Sequence, residues 1–239
     1  SGGNSEKHFG TSFSRNVHVM GMAEDFDESK WEVLLPSDNC MELISGWDLG
    51  HTNHSFTILE KRLDANGQPC FDVLDELVSV NEKVSIEEFG LAAVEHIDAL
   101  ERFMGRPIRW THWSDTSAFR YNAGGLDPMD SATVERISQG KIRFTGAYSA
   151  KTPGSLRKRV ELLKRLLRQN RILVSAHCFK TIEMFENLKR GRKELDYISR
   201  GDPQKHPFDS LSYPVYSECL AELEIGQPRT GSSLFALPL

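Results

Sequence analysis

The chain is 239 residues long, enough for one domain with a sizeable core or one domain plus a small appendage. With 39% hydrophobic and 26% charged residues it reads as a soluble globular protein, with no apolar run long enough for a membrane span and no secretory start. A formal charge of -5 argues against nonspecific attraction to DNA over the whole surface, so nucleic-acid contact has to come from local basic patches.

Residues 1–39 read as a linker or N-terminal extension: they are rich in Ser, Gly, Asn and acids, and the apolar group Trp31 to Leu35 is large enough to dock but not to form a domain. Met41 to Gly50, MELISGWDLG, is the first strong strand. Leu43 and Ile44 suit burial, and Asp48 falls at the strand end, where a carboxylate is costly to bury unless a cation or donor meets it. Local backbone capping is the plain alternative for Asp48. Ser55 to Arg62 and Phe71 to Val80 flank DANGQP, whose Asn66-Gly67 pair predicts a turn between antiparallel neighbours. The period then changes. Ser85 caps a helix carrying Phe89, Ala92, Ala93, Ile97, Leu100, Phe103 and Met104, ended by Gly105.

Pro107 to Trp113 reads as a strand that delivers Asp115 to its end; RWTHW is core packing, and His112 is not taken as a ligand. In the changeable region that follows, Arg120 and Tyr121 are surface residues or substrate contacts, Asp127 and Asp130 suit turn and cap roles, and Lys141 to Tyr148 adds a short strand. Lys151 to Gln169 predicts an amphipathic helix. Leu156, Val160, Leu163 and Leu167 form its apolar stripe, and Arg157, Lys158, Arg159, Lys164, Arg165 and Arg168 form a positive surface, either simply solvated or in contact with phosphate. After a buried strand over Arg171 to Ala176 and a helix over Thr181 to Leu188, KRGRK adds a second patch at Lys189, Arg190, Arg192 and Lys193.

HPFDSLSY places His206 before a proline suited to the first turn of a helix, with Asp209 in that turn, where the helix start favours an ionised carboxylate. His206 orients Asp209, binds solvent, or serves in the core or as a cap. Pro214 predicts a kink or the end of this helix's first segment, and residues 224–239 read as a loose tail. Cys40, Cys70, Cys178 and Cys219 form no C-x-x-C pair and suit thiols in a reducing cytoplasm.

The strands and helices together predict an α/β fold, a mixed central sheet flanked by helices, because a helix bundle would leave the β-like runs unexplained. The ordered combination of GWDLG, an S-D pair after the next long helix and strand, and a late H-x-x-D-S-L-x-Y closely resembles the nuclease domain of phage terminase large subunits. The resemblance runs over roughly residues 40–217 and implies a ribonuclease H-like fold, which three antiparallel strands followed by a helix and another strand suit, and a domain over 40–223. Ser210 and Ser212 stand where that family often has Ala and Arg.

The resemblance implies that Asp48, Asp115 and Asp209 hold two divalent cations, Mg2+ or Mn2+, with Asp48 shared by both, and that the domain cuts double-stranded DNA by two-metal phosphodiester hydrolysis during viral genome packaging. Arg157, Lys158, Lys189 and Arg190 then become the DNA-backbone contacts. An ATPase domain, the portal protein and the small terminase subunit are the implied protein partners, and the host cytoplasm at the procapsid portal is the implied location. No G-x-x-x-x-G-K-S/T loop is present, so ATP hydrolysis is not assigned to this chain. Two other readings stay open: a resolvase of the same fold acting on branched DNA, and a non-catalytic domain that binds DNA or assembles a motor.

Overall fold

The computed structural model describes residues 7–20, 34–49, 53–79, 84–115, 130–147, 154–191, 198 and 201–225. Trp31, Arg120, Tyr121, Asp127, Arg192, Lys193 and the segment 226–239, all given roles above, lie outside them. Within the stretch read as a linker or extension, Phe9 is fully buried and meets Phe185 edge-on at 5.2 Å. A one-turn helix α1 (Arg15–His18) leads into the two-residue strand β1 (Val19–Met20).

Strand β2 (Glu42–Leu49) is covered on both faces, so its apolar residues run nearly continuously instead of alternating with polar ones. Leu43, Trp47 and Leu49 enter one core, and Ile44 enters the other. Asp48 shares the parity of Ile44 and Gly46, which commits its carboxylate to the second face. Strand β3 (His54–Leu63) runs antiparallel to β2, with Ser55 opposite Asp48, and β4 (Pro69–Ser79) runs antiparallel to β3. Their turn forms as expected: Asp64 Oδ1 accepts from the amides of Asn66 and Gln68, both at 2.8 Å, and Gly67 takes φ 73°.

Helix α2 (Ile86–Met104) starts in a full capping box, Ser85 with Glu88, and stops at left-handed Gly105. It lays Phe89, Ala93 and Ile97 on the sheet and leaves Phe103 exposed. Then follow β5 (Arg109–Ser114), α3 (Asp130–Ile137), β6 (Phe144–Gly146), α4 (Ser155–Arg168), β7 (Ile172–Ser175), α5 (Phe179–Asn187) and α6 (Lys205–Ile225). The seven strands form one mixed sheet in the order β1-β7-β4-β3-β2-β5-β6. Side chains of α4, α5 and α6 fill one core and those of α2 and α3 the other. This is the ribonuclease H-like α/β architecture that the order of elements predicts. Among the described residues no helix is long and apolar enough to cross a membrane, and the four cysteines are free thiols.

Two local expectations change. Of the kink or the end expected at Pro214, the end does not occur: helix α6 continues to Ile225. Proline removes one helical hydrogen bond and leaves the carbonyl four residues earlier without its donor. Here that carbonyl, of Ser210, is turned to the sheet at Gly46, and the proline ring packs on the same glycine. Farther along, Glu218 ties the helix down by accepting from Trp113 Nε1 and Lys61 Nζ, each at 3.0 Å. In α4, Arg159 and Lys164 belong to the buried side and not to the positive surface. Lys164 pairs with Glu161 at 3.0 Å.

At the far side of β4, Asp75 receives two histidines: His96 Nδ1 at 2.5 Å and His177 Nε2 at 3.3 Å. Burial pushes the Asp75 carboxyl up, but the bonds to His177 and His96 outweigh it and hold it well below the usual carboxylate range. The same bond raises His96 against a smaller opposing effect of burial. A raised histidine contributes stability that is full below its unfolded value, about 6.5, and is lost as pH rises through the folded value. A lowered carboxylate contributes above its unfolded value, about 3.9, and is lost as pH falls through the folded value. The cluster therefore stabilises most between about pH 4 and 6.5. The urea midpoint should be higher at pH 6 than at pH 8.5, and His96→Gln should flatten that difference. An unaltered difference in the variant would show that the cluster is not its source.

Candidate active site

The end of β2 and the start of α6 are brought together by backbone contact. Gly46 has no side chain to hold the helix off, and Ser210 Oγ lies 2.7 Å from Ser55 Oγ and 2.9 Å from Thr57 Oγ1 on β3. With Ser210 pinned to the sheet, its neighbour Asp209 and the preceding turn are fixed beside Asp48. His206 Nδ1 lies 2.7 Å from Asp48 Oδ2, and Asn53 Nδ2 lies 3.4 Å from the other ring nitrogen. Of the roles considered for His206, the geometry shows a partner of Asp48, not of Asp209.

Asp209 is held by two cations. Arg159 Nη1 donates to its Oδ1 at 2.7 Å and to Ser212 Oγ at 2.6 Å, while Lys205 Nζ, one turn back, donates to Oδ2. Burial pushes Asp209 up, but the charges of Arg159 and Lys205 outweigh it and hold the carboxyl below its ordinary value. For Asp48 the balance reverses: burial raises the carboxyl above its ordinary value, the bond to His206 opposes this, and the charge of Asp209 adds to the rise.

Asp115 follows β5 directly and belongs to the same field, since its charge acts on both Arg159 and Tyr213. Tyr213 is driven far above its ordinary value, by burial first and then by Asp209. Asp48 and Asp209 thus lie together at the start of α6, and Asp115 acts on the same surroundings through its charge.

Among the described residues, no three His, Cys, Asp or Glu side chains are spaced to hold a metal ion as they stand. The donor chemistry nonetheless fits a hard cation. The set offers oxygens, Asp48 is a desolvated carboxylate that a cation would compensate, and the ammonium on Asp209 Oδ2 comes from a side chain 44% exposed.

Sequence reading missed Arg159 and Lys205. Arg159 lies three residues after Leu156 and four before Leu163, inside the apolar stripe, and that was the available signal. Lys205 precedes Asp209 by the four residues that bring helical side chains together. The proposed DNA contacts are exposed: Arg157 and Lys158 immediately precede Arg159 on α4, and Lys189 and Arg190 follow α5. The Lys189 amide donates to Asp202 Oδ2 at 3.1 Å, which puts the second patch beside the approach to α6.

No protein-family model matches this sequence, and no curated protein matches it. Solved structures do. The large terminase from the thermophilic bacteriophage D6E superposes with a TM-score of 0.59 at 13% identity, over 89% of this chain and 46% of that one. The P22 large terminase nuclease domain gives 0.54 at 14% identity over 90% and 92% of the two chains. The large terminase nuclease from thermophilic phage G20c with bound cobalt gives 0.50 at 12% identity over 87% and 95%. The chain thus spans less than half of the D6E terminase and nearly all of the two nuclease domains. At such identities the likeness shows the fold: this chain has the ribonuclease H-like fold of phage large-terminase nuclease domains.

Proposed function

We propose that this chain is the nuclease domain of a phage terminase large subunit, a metal-dependent endonuclease that cuts double-stranded DNA during genome packaging. The observation that carries this reading is the meeting of Asp48 at the end of a central strand with Asp209 in the opening turns of the helix packed on that strand. Fold likeness to three terminase structures, one of them named as holding cobalt, supports it. Residues 40–223 make up the bulk of the nuclease domain, and β1 and Phe9 from the preceding stretch belong to its sheet and core. Its partners are an ATPase domain, the portal protein and the small terminase subunit, and its place is the procapsid portal in the host cytoplasm.

Asp48, Asp115 and Asp209 would hold two divalent cations, and an oxygen donor set favours Mg2+ or Mn2+. Ions of this kind would ionise water and stabilise the leaving oxygen of a phosphodiester. The rest belongs to the chain. His206 fixes Asp48 through Oδ2, Arg159 fixes Asp209 through Oδ1, and Lys205 balances the charge of Asp209 at Oδ2. Cleavage of supercoiled plasmid in Mn2+, abolished by a chelator, is the expected result. DNA binding with no cleavage at any metal concentration would overturn it. That outcome would favour a non-catalytic domain, a reading to which the two cations already on Asp209 lend support.

Replacing Arg157, Lys158, Lys189 and Arg190 together with Ala is expected to weaken duplex binding by about tenfold or more at low salt, and to lower the slope of log affinity against log salt by about 0.9 for each phosphate that is no longer neutralised. Mn2+ affinity should not change. An unaltered salt slope would remove this surface from the DNA path.

A further inference from the structure

We infer that Arg159 is a positioning residue of this site, fixing Asp209 so that only Oδ2 faces a cation; the inference rests on the nuclease reading above. The guanidinium is 4% exposed and cannot swing out to solvent. It lies over the Tyr213 ring, 4.6 Å from its centroid, and 5.2 Å from that of Phe208, so two aromatic rings pack against it. One nitrogen, Nη1, serves both Asp209 Oδ1 and Ser212 Oγ, and this shared donor locks the carboxylate to the helix that carries it.

The arrangement is poor for stability alone. The buried Nε has no hydrogen-bond acceptor among the described residues, and a buried ion pair generally contributes less than a well-packed apolar pair. Such an unsatisfied group needs a reason, and the reason here is Asp209. The two cations on that carboxylate divide the labour by their exposure. Lys205 is 44% exposed, so solvent reaches the group on Oδ2, whereas Arg159 is shut in against Oδ1. Asp209 is then a one-oxygen ligand of fixed direction, in the way that outer partners generally orient metal-binding carboxylates.

The test is Mn2+ titration by calorimetry, with circular dichroism and thermal melts, on the full chain and on Arg159→Met, Arg159→Lys, Ser212→Ala, Asp209→Asn and Arg159→Met/Asp209→Asn. Arg159→Met should bind Mn2+ about 10- to 100-fold more weakly, the range typical for loss of an outer partner. Arg159→Lys should recover part of that loss, and Ser212→Ala should show a smaller weakening with the charge kept. In the Asp209→Asn background, Arg159→Met should add nothing, because its target is gone. Wild-type Mn2+ affinity in folded Arg159→Met overturns the inference, and so does an equal loss in the Asp209→Asn background. Should Arg159→Met fail to fold, wild-type affinity in Ser212→Ala overturns it instead. A wild-type chain that neither binds Mn2+ nor cuts DNA defeats the nuclease reading itself, while a wild-type chain that does both with unaffected variants defeats only the role of Arg159.

Discussion

Asp48→Asn is expected to reduce metal-dependent DNA cleavage by about 10³-fold, the effect of losing roughly 4 kcal/mol of transition-state stabilisation, with no loss of stability. The motive is the combination of strand-end placement, burial and the facing charge of Asp209. A carboxyl whose folded pKa is raised disfavours folding while it is ionised, and the cost disappears as pH falls through the folded value. A neutral amide of the same shape removes that cost at neutral pH and keeps a hydrogen-bonding group toward His206. Asp209→Asn should differ. It leaves Arg159 buried without its carboxylate, which costs about 3 kcal/mol on the scale of broken buried pairs, and it loses cleavage as well. Asp115→Asn should also impair cleavage. The assay is nicking and linearisation of supercoiled plasmid in Mg2+ and in Mn2+, with urea midpoints measured in parallel. A folded Asp48→Asn protein that cuts at the wild-type rate in both metals would remove Asp48 from the ligand set.

The contrast between those two acids shows what the sequence made legible. Features settled by a few neighbouring residues were readable: the helix cap at Ser85, the stop at Gly105, the turn at Asn66-Gly67 and the strand that ends at Asp48. The strand-end and helix-start placements of the acids followed from the same local signals. What stayed hidden was set by pairing across the fold. Arg159 was counted as surface because charge is normally solvated, although its spacing put it on the buried stripe. Pro214 was read by the local rule that proline kinks or ends a helix, and α6 runs on through it while packed against the sheet. The irregularity between Ile58 and Leu59, where Leu74 is the extra residue of β4, leaves no mark in either strand's own pattern.

Gly46→Ala should be the most damaging single-methyl change in the chain's centre. A Cβ built there would lie 1.7 Å from the Ser210 carbonyl oxygen, 2.5 Å from Pro214 Cδ and 2.8 Å from Pro214 Cγ. Two of these atoms belong to a proline ring and one to backbone, so no flexible side chain can give way. Helix α6 itself would have to move by on the order of 1 Å, and overpacking of this kind costs about 3 kcal/mol, the upper end for an inserted methyl. The helix cannot move alone. Ser210 Oγ is tied to Ser55 and Thr57, and Asp209 is the residue before it, so the shift is delivered straight to the site. A misplacement of about 1 Å in a catalytic constellation costs about 10²-fold in rate. Cleavage measured at a temperature where the variant is folded should therefore fall by that amount, with a lowered urea midpoint. Gly67→Ala is the control. It forces an alanine into φ 73° with nothing within 4 Å, so it should cost only about 1 kcal/mol and leave the cleavage rate unchanged. Wild-type stability and cleavage in Gly46→Ala would mean that α6 does not lie on β2 at this glycine, and the meeting of Asp48 with Asp209 would lose its structural basis.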